Sequence, residues 1–312
     1  MKFNKPKFWD NKEPTLLSYL LLSLTFPIII NNFFLKFRRI TSNKKIKTIC
    51  VGNIYIGGTA KTPLTIKIYE ILKNLNFNTA TIKKFYKDQI DEQRILNSKT
   101  KLYCSKNRTQ ALNQAIQDNM DIVIFDDGLQ DRSINYKLRI VCFNNVKWIG
   151  NGFLIPAGPL RERIGSISKY DAIFLNGNRR DNSNIKSIIN KYKKDIPVFE
   201  STYKVINIDH FDTNTKYVIF SGIGNPDNFK ETVINNKLNV VKEIIFPDHH
   251  QYTTNDINNI ISHARGLDAQ ILTTEKDYMK INSDKGNDIK FLKIELTIKN
   301  EQKFIDYLKL HI

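Results

Sequence analysis

Residues 51–63 read VGNIYIGGTAKTP, a run in which glycines lead into a lysine and a threonine. Consecutive backbone N–H groups at a helix start can cradle a phosphate, and glycines let the backbone come close to it. In the pattern GxxxxGK[ST] the lysine reaches the β- and γ-phosphates of a nucleotide and the hydroxyl reaches Mg²⁺. Lys61 and Thr62 fill those two places, and Gly57, Gly58, Thr59 and Ala60 make the loop before them. Ala60 stands where the pattern has glycine. If that position needs positive φ, its Cβ adds on the order of 1 kcal/mol, which impairs the loop without abolishing it.

A second half of such a site is an apolar strand ending in Asp, and IVIFDDGLQ (122–130) supplies one. Asp126 or Asp127 would hold Mg²⁺ directly or through water. The alternative is a pair of acids capping the turn before Gly128; Lys61 and Thr62 in an earlier strand–helix unit make the metal role the better reading. TEKD (274–277) has a lysine and an aspartate adjacent, where a guanine-reading element spaces them apart, so a GTPase is rejected. FPDHHQY places His249 and His250 beside Asp248. They offer a general base or a solvated turn, and spacing alone favours the turn.

These residues need elements to hold them. KTICVGN reads as a buried strand, and the helix after the loop carries Leu64, Ile68, Ile71, Leu72 and Leu75 on one stripe, with Pro63 at its first position. NFNTATI, TKLYC, IVIFDD, LRIVCF and DAIFLNG are further strands, with a helix around 109–118 and a polar segment over 83–94. Strands alternating with helices predict a parallel sheet wound on both sides. Near residue 200 the pattern restarts: YVIFSGIGNPDNFKETVI reads as strand, turn and helix, and QILTTEKDYMKI and IKFLKIEL supply later strands. The chain thus divides into an apolar segment 1–40, a phosphate-loop domain 41–200 and a smaller α/β domain 201–312. The fold class is α/β: a P-loop NTPase-type parallel sheet, a second, smaller α/β domain and an N-terminal membrane-surface helix.

That helix is read from 16–30, a mostly apolar run shorter than the about 20 residues a bilayer span needs and broken by Ser18, Ser23, Thr25 and Pro27. Lys2, Lys5, Lys7 and Lys12 precede it; Lys36, Arg38 and Arg39 follow. The run lacks a small-residue cleavage site, which argues against a cleaved signal peptide. A helix lying on an anionic membrane, with Trp9, Phe33, Phe34 and Phe37 at interfacial depth, is preferred to a buried core helix or a single span. The net charge of +17 is spread along the chain. A solvated basic surface accounts for it as well as an anionic partner does. With no zinc-finger spacing and no arginine-rich stretch, nucleic acid ranks last among such partners. Cys50, Cys104 and Cys142 form no CxxC pair; Cys50 and Cys142, inside apolar runs, read as small core residues of a reducing compartment.

Taken in order, six segments resemble the tetraacyldisaccharide 4'-kinase family of lipid A biosynthesis. The family loop GNxxxGGTGKTP is matched by Gly52, Asn53, Gly57, Gly58, Thr59, Lys61, Thr62 and Pro63; DDGLQ is intact from Asp126 to Gln130; GNGFLIPAGPLRE, GIGNPDNF, FPDHHQY and TTEKD follow. The resemblance implies transfer of the ATP γ-phosphate, with Mg²⁺, to the 4'-hydroxyl of a tetraacylated glucosamine disaccharide 1-phosphate. It places the reaction at the cytoplasmic face of the bacterial inner membrane, with the chain peripheral or monotopic. It implies Asp91 as the catalytic base with Glu92 beside it, His249 as its partner from the second domain, and closure of the two domains on the substrate. It also implies Arg108, Gln130 and Glu162 as substrate- or nucleotide-site residues. Three departures accompany it: Ala60 for glycine, Asp131 where the family has His, and TIKKFYKDQIDEQ in place of a longer SRGYG-containing segment before Asp91. A lipid kinase is therefore the leading reading; a catalytically degenerate nucleotide- or lipid-binding relic of the family and a basic nucleic-acid-binding ATPase are the alternatives. The sequence leaves oligomeric state and acyl-chain preference open.

Overall fold

The computed structural model describes residues 5–34, 45–248, 250–281 and 288–312. The chain divides into two units. The first takes in the described residues up to Phe85, with Lys99–Thr202 and Leu296–Ile312; the second takes in Tyr86–Ser98 and Tyr203–Glu295. The division expected near residue 200 differs at two places: a short helical insert goes with the second unit, and the chain's end returns to the first.

The first unit opens with α1 (Leu16–Leu20), a 3-10 stretch Leu21–Thr25 and α2 (Phe26–Phe34). Then come β1 (Lys47–Gly52), α3 (Lys61–Asn74) and β2 (Thr79–Lys84), and, after the insert helix α4 (Ile90–Lys99), β3 (Leu102–Ser105), α5 (Arg108–Gln117) and β4 (Ile122–Asp126). β5 (Leu138–Asn144), β6 (Ala172–Asn176), α6 (Ser183–Tyr192) and β7 (Val198–Val205) follow. In the second unit lie β8 (Lys216–Ser221), α7 (Pro226–Asn235), β9 (Asn239–Ile245), α8 (Thr254–Gly266), β10 (Gln270–Thr274), α9 (Glu275–Tyr278) and β11 (Ile289–Leu292). β12 (Ile294–Ile298) and α10 (Glu301–His311) close the chain.

Eight strands form the first sheet in the order β12-β7-β6-β5-β1-β4-β2-β3. β1 lies inside it, parallel to β4 and β5, so β1 and β4 end at the same edge. Residues 49–51 and 122–126 are wholly buried, as the continuous apolar runs require of a sheet covered on both faces. Phe304 of α10 packs edge-on against Phe174 and Phe199, which draws the C-terminal helix to this unit. IKFLKIEL is two strands, not one: β11 stays in the second sheet and β12 joins the edge of the first.

The second sheet runs β11-β10-β8-β9, all parallel. Along β8 the side chains alternate. Tyr217 and Ile219 join Phe229 and Val233 of α7, whereas Val218 and Phe220 join Ile257 and Ile260 of α8.

In the N-terminal segment the polarity is inverted. Leu16, Leu20, Leu24, Phe26 and Phe34 are exposed, while Ser18 and Thr25 are buried. Ser18 Oγ accepts from Asn151 Nδ2 at 3.0 Å. Trp9 corrects the sequence reading: it is not interfacial but fully buried, its indole N–H donating to Pro156 O at 2.9 Å. A core-facing ring with a satisfied donor is stable without lipid. Lys2, Lys36, Phe37, Arg38 and Arg39 lie outside the described residues, as does the side chain of Phe33. Among the described residues no helix is long and apolar enough to cross a membrane.

Candidate active site

In the first unit the phosphate loop spans the gap between β1 and α3. Asn53, fully buried, donates to Thr59 Oγ1 at 3.0 Å and so ties the loop's start to its end. A second chain segment braces the loop from outside: Arg161 N donates to Ile54 O at 2.7 Å, and Ile56 N to Pro159 O at 2.9 Å. Gly57 sits at φ +142°, and a Cβ there would meet the Tyr55 ring at 2.9 Å. Ala60 is in the left-handed region, φ 65° and ψ 23°, so the strain foreseen for a Cβ at that position is present. α3 starts at Lys61, two residues before Pro63; a proline inside the first turn still breaks no helical bond, because those N–H groups have no intrahelical partner. Lys61 and Thr62 are half-buried at that helix start. Among the described residues Lys61 has no carboxylate partner.

β4 delivers the acids. Its register sets Asp126 beside Val51 of β1 and Lys83 of β2. Asp126 is fully buried; its Oδ2 accepts from Thr62 Oγ1 at 3.0 Å and from Lys83 Nζ at 2.6 Å, and its Oδ1 accepts from Thr65 Oγ1 at 3.4 Å. Asp127 turns out of the strand at φ 56°. Arg161 Nη1 faces its two carboxylate oxygens at 3.2 and 3.4 Å and also reaches Gln130 Oε1 at 3.4 Å. Gln130 Nε2 donates to Asn53 O at 2.9 Å and to Glu162 Oε1 at 3.1 Å. Arg108 Nη2 donates to Asp127 O at 2.6 Å, and its Nη1 pairs with Asp131 at 3.2 Å. Thus Asp131 forms an ion pair with Arg108. Burial pushes the Asp131 carboxyl up, but bonds from Ser133 and the charge of Arg108 together hold it below the usual carboxylate range.

The first unit therefore brings together Lys61, Thr62, Asp126, Asp127, Gln130, Arg108 and Glu162. Arg108 is bonded to Asp127 O and Asp131, Gln130 to the carbonyl of Asn53, and Glu162 to Gln130, a supporting frame. Thr62, Asp126 and Asp127 offer the hard oxygen donors that suit Mg²⁺, which binds through one or two carboxylates plus substrate phosphates. No cluster of three His, Cys, Asp or Glu able to hold a metal occurs among the described residues.

A second cluster lies in the second unit. Asp91, 2% exposed, is in the first turn of α4. Lys276 Nζ stands 3.3 Å from Asp91, 3.6 Å from Glu92 and 3.5 Å from Asp248. Lys280 Nζ is 3.7 Å from Asp91 and 2.9 Å from Asp277, and donates to Gly222 O at 3.2 Å. Asp277 caps α9 with Thr274 and accepts from Gly222 N at 3.0 Å. Four separated motifs (GIGNPDNF, FPDHHQY, TTEKD and the DEQ of α4) so meet around the ammoniums of Lys276 and Lys280. Burial works against the Lys276 charge, but Glu92, Asp248, Asp91 and Asp277 outweigh it and hold that ammonium well above the usual lysine range. His249 lies outside the described residues. His250 pairs with Asp256 at 3.1 Å, the N3 acid of the α8 capping box, which is a structural task.

Sequence reasoning missed Lys83, Arg161, Lys276 and Lys280. Arg161 stands inside a segment already singled out, and both Lys276 and the acid of TEKD were noticed for another purpose. Lys83 had no signal at all.

The chain is similar to known proteins along its length. The family model described as Tetraacyldisaccharide-1-P 4'-kinase (LpxK) matches residues 17–312. A tetraacyldisaccharide 4'-kinase of Pelagibacter ubique (strain HTCC1062) is 47% identical over 309 residues, 99% of this chain and 98% of that protein. One from Rickettsia canadensis (strain McKiel) is 32% identical over 322 residues, 96% of this chain and 95% of that one. The crystal structure of LpxK from Aquifex aeolicus in complex with ATP superposes with a TM-score of 0.69 at 20% identity, over 95% of this chain and 100% of that chain, a likeness of fold. The chain belongs to the tetraacyldisaccharide-1-P 4'-kinase family.

Proposed function

We propose that the chain moves the γ-phosphate of ATP to the 4'-hydroxyl of a tetraacylated glucosamine disaccharide 1-phosphate, with the phosphate loop as the ATP site and Asp91 as the base. The activity is that of an ATP-dependent tetraacyldisaccharide 4'-kinase. One observation carries the site assignment: a half-buried lysine with no carboxylate partner among the described residues, at a helix start, beside a threonine bonded to a buried aspartate. A cation held so needs an anion, and the loop N–H groups supply the rest of a phosphate cradle. Mg²⁺, which Thr62 and the Asp126–Asp127 pair would hold directly or through water, would neutralise charge on the phosphate oxygens. Asp91 accepts the proton of the 4'-hydroxyl as that oxygen bonds to the γ-phosphorus, and the bond from that phosphorus to the β–γ bridging oxygen breaks to release ADP. His249 is the residue we assign beside Asp91. Arg108, Gln130, Glu162 and Glu92 hold the surroundings in place.

The inverted N-terminal segment is assigned to the membrane. Its leucines and phenylalanines face out while its hydroxyls face in, so its apolar side gains by entering the acyl boundary of an anionic leaflet. This makes the chain peripheral or monotopic at the cytoplasmic face. Neither the relic nor the nucleic-acid reading has an observation in its favour.

The test is transfer of ³²P from γ-labelled ATP to the tetraacyl disaccharide 1-phosphate in mixed micelles with Mg²⁺. Turnover is expected from the full chain, and Lys61→Ala is expected to lose it on the order of 10³-fold with unchanged circular dichroism. ATP bound without transfer would leave a relic; full transfer by Lys61→Ala would remove the loop from the chemistry.

A further inference from the structure

We infer that Lys83 is a positioning residue of the phosphate site: its buried ammonium holds Asp126 against Thr62 and keeps that carboxylate from becoming a direct ligand of the divalent cation. The inference rests on the phosphate loop being the ATP site. Lys83 belongs to neither phosphate-loop motif; it reaches the site only because β2 and β4 pair in parallel with Lys83 opposite Asp126. The side chains are 2% and 0% exposed, and the ammonium is 2.6 Å from Oδ2. That same Oδ2 takes the Thr62 hydroxyl, and Oδ1 takes Thr65. The carboxylate charge is thus matched before any metal arrives, and Oδ2 already takes two donors while Oδ1 takes one, at 3.4 Å.

For Asp126 to bind a dipositive ion directly, Oδ2 would have to leave Nζ, or Oδ1 would have to give up Thr65. By either oxygen the ion would stand within one carboxylate of the buried Lys83 ammonium, two like-charged centres facing each other where water is excluded. Asp127 is under no such constraint. Its carboxylate keeps 16% exposure, and its partner Arg161, 31% exposed, has solvent to turn into. The threonine hydroxyl and Asp127 are therefore left to meet the metal, while Asp126, clamped by Lys83, orients the hydroxyl. A strand residue without a motif becomes part of the machinery through register alone.

The experiment reads Mn²⁺ binding by electron paramagnetic resonance on full-length chain in micelles, first without nucleotide and then with ATP. Lys83→Met removes the ammonium and keeps the stem. Nucleotide-free Lys83→Met is expected to bind Mn²⁺ at least 10-fold tighter than the parent, because Asp126 has lost its internal cation. Adding Asp126→Asn to it should return binding to the parent value. With ATP present, the double variant should hold Mn²⁺ within about threefold of the parent. Lys83→Met with parental Mn²⁺ affinity overturns the inference. So does a 10-fold loss of Mn²⁺ in the ATP complex of the double variant, since that makes Asp126 a direct ligand. Should Lys83→Met fail to fold, the double variant, which removes both charges together, decides alone. The nucleotide-free arm stands even where ATP does not bind, so failure of the ATP-site reading is a separate result.

Discussion

Asp126 and Asp91 are both buried acids with lysines in reach, yet their surroundings ask opposite things of them. Asp126 has an ammonium at 2.6 Å and two threonine hydroxyls, in a place closed to water. Asp91 shares two more distant ammoniums, at 3.3 and 3.7 Å, with Glu92, Asp248 and Asp277. Take the Asp126 carboxylate away and the buried Lys83 ammonium loses the acid that stands 2.6 Å from it. Take Asp91 away and Lys276 still faces Glu92 and Asp248, while Lys280 still faces Asp277. An acid shared among several charged neighbours can change its bonding with less disturbance than one held against a single close ammonium. The comparison is in keeping with the base role proposed for Asp91 and the positioning role inferred around Asp126.

The sharpest way to break this is to remove each acid and measure stability. Asp126→Ala is expected to cost about 3–5 kcal/mol, because it uncovers a buried ammonium. Asp91→Ala should cost about 1 kcal/mol, since the cluster it leaves remains paired. Differential scanning calorimetry resolves the two, and equal losses would mean that Lys276 and Lys280 depend on Asp91 as Lys83 depends on Asp126. Next in size is the effect on turnover. Asp91→Asn keeps the shape and is expected to lower kcat on the order of 10²-fold, with KM for ATP within about twofold. A parallel rise in KM would make Asp91 a nucleotide-positioning group and dissolve the contrast.

What could be read in advance follows from how local each feature is. The loop was legible because glycines, Lys61, Thr62 and the stripe of α3 lie within 25 residues and obey one helix and one turn. IVIFDD announced a buried strand ending in acid for the same reason. Lys83 was not legible: within TATIKK it reads as the polar end of a strand, and only pairing with a strand 40 residues on buries it. Lys276 and Asp277 stand within TEKD, whose spacing speaks only against guanine reading, whereas their surroundings are supplied by Asp91, Gly222 and Asp248. Trp9 was assigned to lipid on side-chain type, and the carbonyl of Pro156, remote in sequence, decided otherwise. In each miss the deciding partner lies far along the chain.

The phosphate loop bears a strain that the Asp91 cluster does not, and Ala60 measures it. A Cβ at φ 65° costs roughly 1–2 kcal/mol, and alanine returns about 0.5–1 kcal/mol over glycine through the unfolded chain. Ala60→Gly should therefore stabilise the chain by about 0.5–1 kcal/mol, a rise of a few degrees in Tm, and leave turnover unchanged or higher. A fall in Tm would show that the loop has adapted its backbone to alanine.

The smallest effect sharpens the comparison at its edge, where Asp131 pairs with Arg108 beside the loop. Its folded pKa is depressed, so the stability it adds is present above the unfolded value near 3.9 and is lost as pH falls through the folded one. The group is partly exposed, which limits the contribution to less than about 0.5 kcal/mol. Asp131→Asn should accordingly melt slightly below the parent at pH 7, by an amount that does not vary between pH 6 and 8. Below pH 4 the two curves should converge, since protonation makes the parent resemble the variant. A gap that persists at pH 3 would assign the difference to the shape of the Ser133 bonds rather than to charge, and the Arg108–Asp131 pair would then be a packing contact, unlike the ion pairs that hold Asp126 and Asp91.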